Sequence, residues 1–148
     1  MKKIILAVTL LVTVAMAYGQ SPVKWSYKVQ KIKDKIYEIH LEAFMDNEWH
    51  IYSQTTPEGG PIPTAFSFSK NPLVIFEGSI KEVGKLEEHF EPLFGVKVKQ
   101  YSDKVEFIQT IKLKAAVKTV VNGYIEFMAC NDAECMPPAK QAFSVNID

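Results

Sequence analysis

Hydrophobic and polar side chains alternate along most of the chain after residue 20. The alternation is clearest at residues 35–44 (KIYEIHLEAF), where large apolar side chains fall on one face and charged ones on the other. Other runs of the same kind recur at residues 23–30, 49–54, 65–69, 73–77, 96–101, 105–114, 124–127 and 142–147. About seven to nine short strands, separated by turn signals and without an amphipathic helix, predict an all-β fold, an antiparallel β-sandwich of the immunoglobulin-like kind.

Two segments interrupt this pattern. Residues 55–63 (TTPEGGPIP) are too rich in glycine and proline for regular structure. Residues 82–95 show no regular period, and we expect an irregular loop whose carboxylates, Glu87, Glu88 and Glu91, are solvated. His40 falls on the charged face of its strand, so it is also expected at the solvated surface.

Residues 1–17 have the layout of a secretion signal. Lys2 and Lys3 precede an apolar stretch at residues 4–14, and Ala15-Met16-Ala17 forms a small-residue cleavage site. We expect cleavage after residue 17, or as late as residue 20, and a single domain at residues 18–148. The apolar run is too short for a membrane span and no cysteine adjoins the cleavage site. These features predict a periplasmic or otherwise exported protein without a membrane anchor.

The charge balance excludes one class of partner. The chain of 148 residues carries 17 basic and 17 acidic side chains, and its formal net charge is zero. Because no basic field is present to attract phosphates, we expect no nucleic-acid partner.

The chain has two cysteines, Cys130 and Cys135, in the segment 124–139 (YIEFMACNDAECMPPA). A strand precedes them and a second alternating run follows, which predicts a β-hairpin with one cysteine at each foot of the loop 131–134. Opposite residues of an antiparallel ladder have Cα atoms about 4.5–5.5 Å apart, within the range of a disulfide. So small a ring restrains the unfolded chain by only about 2 kcal/mol, which favours a redox pair over a structural staple.

Two other interpretations of the cysteines stay open. A β-sandwich binding or assembly module could carry the same pair as a structural bridge. A soft cation such as copper(I) could also bind the two thiolates together with Met128, Met136 or His89, although no second cysteine pair completes a zinc site.

Three large apolar residues, Phe90, Leu93 and Phe94, stand beside the carboxylates in the segment expected to be irregular. Such side chains are expected to bury against something, and the candidates are the core and the cysteine hairpin. His50 follows Trp49 in a short strand, where it can either lie near a site or cover an edge of the core.

Four motifs together resemble a known family. WHIYSQ, GGPIPT, the apolar segment ending at Phe94-Gly95, and FMACNDAECMPP are similar to the amino-terminal domain of the thiol:disulfide interchange protein DsbD. The resemblance extends over nearly the whole chain after the signal segment and is most specific at the cysteines. It implies an immunoglobulin-like sandwich that takes electrons from a thioredoxin-like domain of a membrane thiol reductase. Such a domain passes them to disulfide isomerases and cytochrome c maturation thioredoxins.

The resemblance also assigns roles to individual residues. It implies that Cys130 and Cys135 are the redox pair, that Cys135 forms the mixed disulfide with partners, and that Cys130 resolves it. The segment from His50 to Tyr52 matches aromatic-rich positions near the pair, so both of these residues are candidates for the site.

Residues 91–95 match the family's cap, which covers the cysteines and opens when a partner docks. The chain departs from the family pattern at two positions of this cap. Pro92 follows Glu91 in place of a second acidic residue, and Leu93 stands in place of the shielding phenylalanine. The candidate cap and shielding residues are Phe90, Glu91, Leu93 and Phe94.

The residues and the resemblance together predict a thiol–disulfide carrier of the protein-disulfide reductase type, which acts by direct exchange without an organic cofactor or a metal. The sequence ends with the region of resemblance, so we expect the electron donor, a membrane thiol reductase, to be a separate protein. The expected acceptors are thioredoxin-like or disulfide isomerase proteins. Asp132 and Glu134 are negative and would oppose thiolate formation beside the cysteines. The alternative function is the binding or assembly module with a structural hairpin disulfide.

Overall fold

The computed structural model describes residues 19–148, and the predicted signal segment at residues 1–17 lies outside this range. The described residues form strands and turns but no helix, and therefore no helix that could span a membrane. The strands are β1 (Val23–Lys33), β2 (Ile36–Met45), β3 (His50–Tyr52), β4 (Ala65–Phe68), β5 (Val74–Gly84), β6 (Glu87–Glu91), β7 (Val96–Ser102), β8 (Lys104–Leu113), β9 (Thr119–Phe127), β10 (Ala129–Cys130) and β11 (Ala139–Ile147).

Three antiparallel sheets make up the sandwich. The first sheet has the order β1-β2-β8-β5, the second β10-β3-β7-β6, and the third β11-β9-β4. The chain itself joins the third sheet to the second, because β9 continues through Met128 into β10. This architecture confirms the predicted all-β, immunoglobulin-like antiparallel sandwich.

The main core lies between the first sheet and the other two. Side chains alternate inward and outward along β2 and β8, so Ile39, Leu41 and Phe107 are fully buried. Trp25 of β1 reaches across the layers to Phe127 of β9, with ring centroids 5.4 Å apart in the edge-to-face arrangement that aromatic pairs favour. Neither cysteine belongs to this core, so the sandwich does not depend on them for its packing.

The segment expected to be irregular, residues 82–95, is largely strand. β5 extends into it, and β6 pairs with β7 in a register that sets Glu88 opposite Lys99. The two side chains form an ion pair of 3.8 Å, so opposite charges compensate for the low β propensity of this sequence. The prediction of solvated carboxylates is wrong for Glu91, which is 4% exposed.

The surface position predicted for His40 is also wrong. Its strand, β2, is flanked on both sides by β1 and β8, so long side chains of two neighbours cover its outward face. His40 is 7% exposed, and its Nδ1 lies 2.7 Å from Oε1 of Glu106 on β8. Alternation of polarity shows which face a side chain occupies, but it does not distinguish an interior strand from an edge strand.

Candidate redox site

The cysteine segment changes sheets. β9 pairs with β11 as far as Phe127, and the chain then leaves that ladder at Met128. β10 joins the edge of the second sheet, where Cys130 lies directly opposite His50 of β3. The predicted hairpin is therefore present in β9 and β11, but its tip and both cysteines pack with the second sheet.

Cys130 and Cys135 form a disulfide with an S–S distance of 2.02 Å and Cα atoms 4.0 Å apart. The two residues face each other across an isolated antiparallel bridge, as the hairpin interpretation predicted. Asn131 closes the loop between them, since its Oδ1 accepts hydrogen bonds from the amides of Ala133 and Glu134 at 2.9 and 2.8 Å. Asparagine is a common turn former for this reason, so the loop sequence itself specifies the geometry.

The two cysteines differ in exposure. Cys130 is fully buried, whereas Cys135 is half-buried. Cys130 packs with Tyr52 and Val98 in a small apolar cluster that is separate from the main core. A molecule that approaches from solvent therefore meets Cys135 first. The half-buried residues that pack against this Cys130 cluster are Phe94, Val96, Met128 and Cys135.

A polar cluster surrounds Glu91 beside the disulfide. The hydroxyl of Tyr52 lies 3.1 Å from Nε2 of His50 and donates to Oε2 of Glu91 at 3.4 Å. The Nε2 atoms of His50 and His89 are each 3.8 Å from the same carboxylate oxygen. Glu91 is thus a buried carboxylate with a hydrogen bond and two imidazole neighbours, which offset the cost of removing it from water.

Glu91 also builds the turn between β6 and β7, which we name the cap turn (residues 91–95). Its backbone carbonyl accepts hydrogen bonds from the amides of Phe94 at 3.2 Å and Gly95 at 2.8 Å, and its Oε1 accepts one from Leu93 at 3.4 Å. Gly95 has a φ of 69°, in the left-handed region that glycine adopts without a steric penalty. One residue therefore closes the cap turn and ties it to Tyr52.

Only one of the three apolar residues of this region packs against the Cys130 cluster, namely Phe94. Phe90 and Leu93 are 58% and 50% exposed, so the expectation that they are buried is wrong. Side chains alternate along β6, an edge strand, so Phe90 points to the opposite face from Glu91. Leu93 lies in the turn itself. Both line a groove of about 310 Å³ that also includes Asp132 of the cysteine loop.

A larger surface groove lies elsewhere among the described residues. It has a volume of about 690 Å³ and is lined by residues of β4, β5 and their connection, among them Phe68, Asn71 and Phe76. Lys70 is its one titratable side chain, and it contains neither a thiol nor a carboxylate. We therefore place the candidate site at the smaller groove beside the disulfide.

Burial lowers the pKa of His50 below its ordinary range, and His89 acts in the same direction, whereas the carboxylates of Glu91 and Asp132 oppose the shift. His50 is therefore neutral at pH 7. Burial, together with the Glu91 carboxylate, raises the pKa of Tyr52, so this residue remains a hydroxyl and a hydrogen-bond donor.

The structure also locates the side chains considered as ligands of a soft cation. Met128 packs against the Cys130 cluster, and His89 stacks edge to face on His50 with ring centroids 6.1 Å apart. Among residues 19–148, no group of three or more His, Cys, Asp or Glu side chains is placed to hold a metal ion.

The disulfide, its acidic loop and the cap turn all lie within a region that matches a known family. The sequence profile of the family described as thiol:disulfide interchange protein DsbD, N-terminal, matches residues 20–147. The chain belongs to this family. The match includes all eleven strands and both cysteines, which confirms the resemblance seen in the sequence motifs. A comparison with curated proteins gives no match.

Solved structures share the fold. The reduced DsbD N-terminal domain of Neisseria meningitidis has a TM-score of 0.53 and 13% identity, over 82% of this chain and 85% of that one. The N-terminal periplasmic domain of ScsB from Proteus mirabilis has a TM-score of 0.59 and 16% identity, over 85% of this chain and 46% of that one. A complex between the DsbD N-terminal and PilB N-terminal domains of Neisseria meningitidis has a TM-score of 0.52 and 11% identity, over 88% of this chain and 87% of that one. At these identities the likeness is evidence for the fold alone.

The structure brings six of the sequence-predicted site residues together and leaves Phe90 and Leu93 at the rim. Sequence reasoning missed Val98 and the anchoring role of Glu91. The alternation in β7 places Val98 on a buried face, and this signal could have marked it as a neighbour of the site. The gathered residues are His50, Tyr52, Glu91, Phe94, Cys130 and Cys135.

Replacing both cysteines, Cys130→Ala with Cys135→Ala, is expected to leave the sandwich folded. The bridge closes a small ring outside the main core, so its loss should lower the free energy of unfolding by about 2 kcal/mol or less. Urea unfolding measures this difference. A matched truncation within the main core, Ile111→Ala, should cost about 2–5 kcal/mol. A double cysteine variant that fails to fold would make the structural role of the bridge primary.

Proposed function

We propose that the protein is an exported thiol–disulfide exchange protein that relays reducing equivalents through Cys130 and Cys135 to partner proteins. The observation that carries this proposal is the position of the disulfide. It closes a short loop at the edge of the second sheet, outside the main core, and lies beside the cap turn between β6 and β7. Membership of a family described by thiol:disulfide interchange supports the same conclusion.

The exchange proceeds in two steps. The Cys135 thiolate attacks one sulfur of a partner disulfide, and the partner's second sulfur leaves as a thiolate. Cys130 then attacks Cys135, which restores the Cys130–Cys135 bond and releases the partner as a dithiol. The pair loses two electrons and the partner disulfide gains two. The half-buried position of Cys135 and the full burial of Cys130 support this assignment of roles.

The proposed partners are proteins. Candidate acceptors are thioredoxin-like or disulfide isomerase proteins, and the candidate donor is a membrane thiol reductase. The complex of a DsbD N-terminal domain with a PilB N-terminal domain supports a protein partner. The exposed side chains of Phe90 and Leu93 border the groove beside the cysteine loop, and apolar groups of this kind form the centre of protein interfaces.

A periplasmic location is part of the proposal. The signal-like segment at residues 1–17 supports export, and the similar domain of ScsB is described as periplasmic. Such a compartment permits a disulfide to form and to take part in exchange.

The cap turn is proposed to control access to the disulfide. Phe94 packs against the Cys130 cluster, and Glu91 holds the turn closed through Tyr52. Docking of a partner would displace Phe94, because the partner's disulfide must reach Cys135. Residues 91–95 lie outside the main core, so displacement of the turn need not disturb that core.

The reduction potential tests the proposed function. The bridge should be reducible near biological potentials, above about −300 mV, because structural disulfides of exported proteins generally lie below this value. Equilibration in dithiothreitol or glutathione buffers, followed by alkylation of free thiols, measures it. A potential well below about −300 mV would favour the binding or assembly module with a structural bridge.

A further inference from the structure

Cys130 must lose its proton before it can attack the mixed disulfide, and it does so in a buried environment. We propose that His50 accepts this proton and thereby promotes the resolving step. The inference rests on the proposed function and assigns a chemical role to a residue that otherwise only neighbours the disulfide.

The register of the second sheet places the two side chains together. His50 and Cys130 are directly opposite each other in the antiparallel ladder between β3 and β10. Opposite side chains lie on the same face of the ladder with Cβ atoms about 4.5–5.5 Å apart. Both are buried, with exposures of 5% and 0%, so bulk water has little access to the Cys130 thiol. A group inside the protein must therefore take the place of water as the base that accepts the thiol proton.

The hydrogen bonds of His50 determine which ring nitrogen is available. A carboxylate only accepts, so the single hydroxyl proton of Tyr52 goes to Oε2 of Glu91. The oxygen of Tyr52 then accepts a hydrogen bond from His50, and Nε2 of the imidazole carries the hydrogen. In the neutral ring Nδ1 is therefore unprotonated, and this atom is the proton acceptor.

The charges around His50 suit a base that is neutral before the step and positive after it. Glu91, Glu87 and His89 face it from β6, Asp132 faces it from the cysteine loop, and Tyr52 lies on its own strand. Burial keeps the imidazole neutral at pH 7, so it can accept a proton. The carboxylates of Glu91, Asp132 and Glu87 then stabilise the imidazolium that forms.

The Cys130 thiol gives its proton to Nδ1 of His50, and the sulfur's electron pair forms the bond to Cys135. The bond between Cys135 and the partner sulfur breaks, and its electron pair leaves on the partner. The partner thiolate takes a proton from solvent, and His50 later returns its own proton to solvent.

The test uses 5,5′-dithiobis(2-nitrobenzoate) in place of a protein partner. Reduced protein should release one thionitrobenzoate when Cys135 attacks the reagent and a second when Cys130 resolves the mixed disulfide. The second release is intramolecular, so its rate does not depend on reagent concentration. In the wild type this rate should rise with pH through the pKa of His50, measured by NMR on the same protein. It should then stay level until the buried thiol itself ionises at higher pH.

His50→Gln should slow the second release on the order of 10²-fold at pH 7 and remove the inflection, because general bases contribute at least this much. The first release should keep its rate. His89→Gln is the matched control, since His89 is equally close to Glu91 but is not opposite Cys130. It should not slow the second release above the inflection, and it should move the inflection to higher pH, because His89 lowers the pKa of His50.

A second release with the wild-type rate and pH profile in His50→Gln would overturn this inference and leave the proposed function intact. If His50→Gln does not fold, a wild-type inflection that departs from the measured pKa of His50 overturns it instead. Absence of any second release in the wild type would overturn the proposed function, and this inference with it.

Discussion

Cys130→Ser is expected to trap partner proteins as covalent complexes. Cys135 keeps its thiol and still attacks a partner disulfide, but the serine at position 130 cannot displace the partner. Turnover should fall to background while the mixed disulfide accumulates. The half-buried position of Cys135 makes it the cysteine that a partner reaches first.

The measurement is non-reducing electrophoresis after the reduced variant is mixed with an oxidised thioredoxin-like protein. Cys135→Ser is the matched control, because it removes the attacking sulfur and leaves only the buried Cys130. It should form no adduct and support no turnover. Adducts with Cys135→Ser but not with Cys130→Ser would mean that Cys130 attacks the partner and Cys135 resolves the mixed disulfide. Absence of adducts from both variants, with wild-type turnover also at background, would refute thiol–disulfide exchange.

Phe94→Ala is expected to speed alkylation of the reduced cysteines by iodoacetamide about five- to tenfold. Phe94 is half-buried against the Cys130 cluster, so its truncation should remove about 1–1.5 kcal/mol from the closed state of the cap turn. A change of about 1.4 kcal/mol shifts the equilibrium between the closed and the open cap turn about tenfold. The alkylation rate rises in proportion to the open fraction. Exchange with a docked partner should change less, because docking displaces the turn in either case.

Leu93→Ala is the matched control for the cap turn. Leu93 is the neighbouring residue and also apolar, but it is half-exposed and is not among the residues packed against Cys130. Its truncation should leave the alkylation rate unchanged. The rates are compared at one pH, with circular dichroism to verify that both variants are folded. Equal rates in wild type and Phe94→Ala would mean that this side chain does not shield the cysteines.

Much of the site could be predicted because its signals are local. The loop 131–134 carries its own turn former, Asn131, and so the cysteines on either side of it face each other. The resemblance places Glu91 in the cap, but the sequence predicts a solvated carboxylate, whereas Glu91 is buried. That burial depends on Tyr52 and His50, which come from another strand.

The alternation of apolar and polar residues determined by itself that the chain is all-β and which side chains of β2 and β8 point inward. A period of two along a strand depends only on neighbouring residues, so it can be recognised in the sequence before any partner strand is known. The tertiary structure alone decided that β10 leaves the hairpin for the second sheet and lies beside β3. It also decided that β6 pairs with β7 and that His40 is covered. Strand pairing is selected by the packing free energy of the whole sandwich, so the pairing of His50 with Cys130 has no signature in the residues around either one.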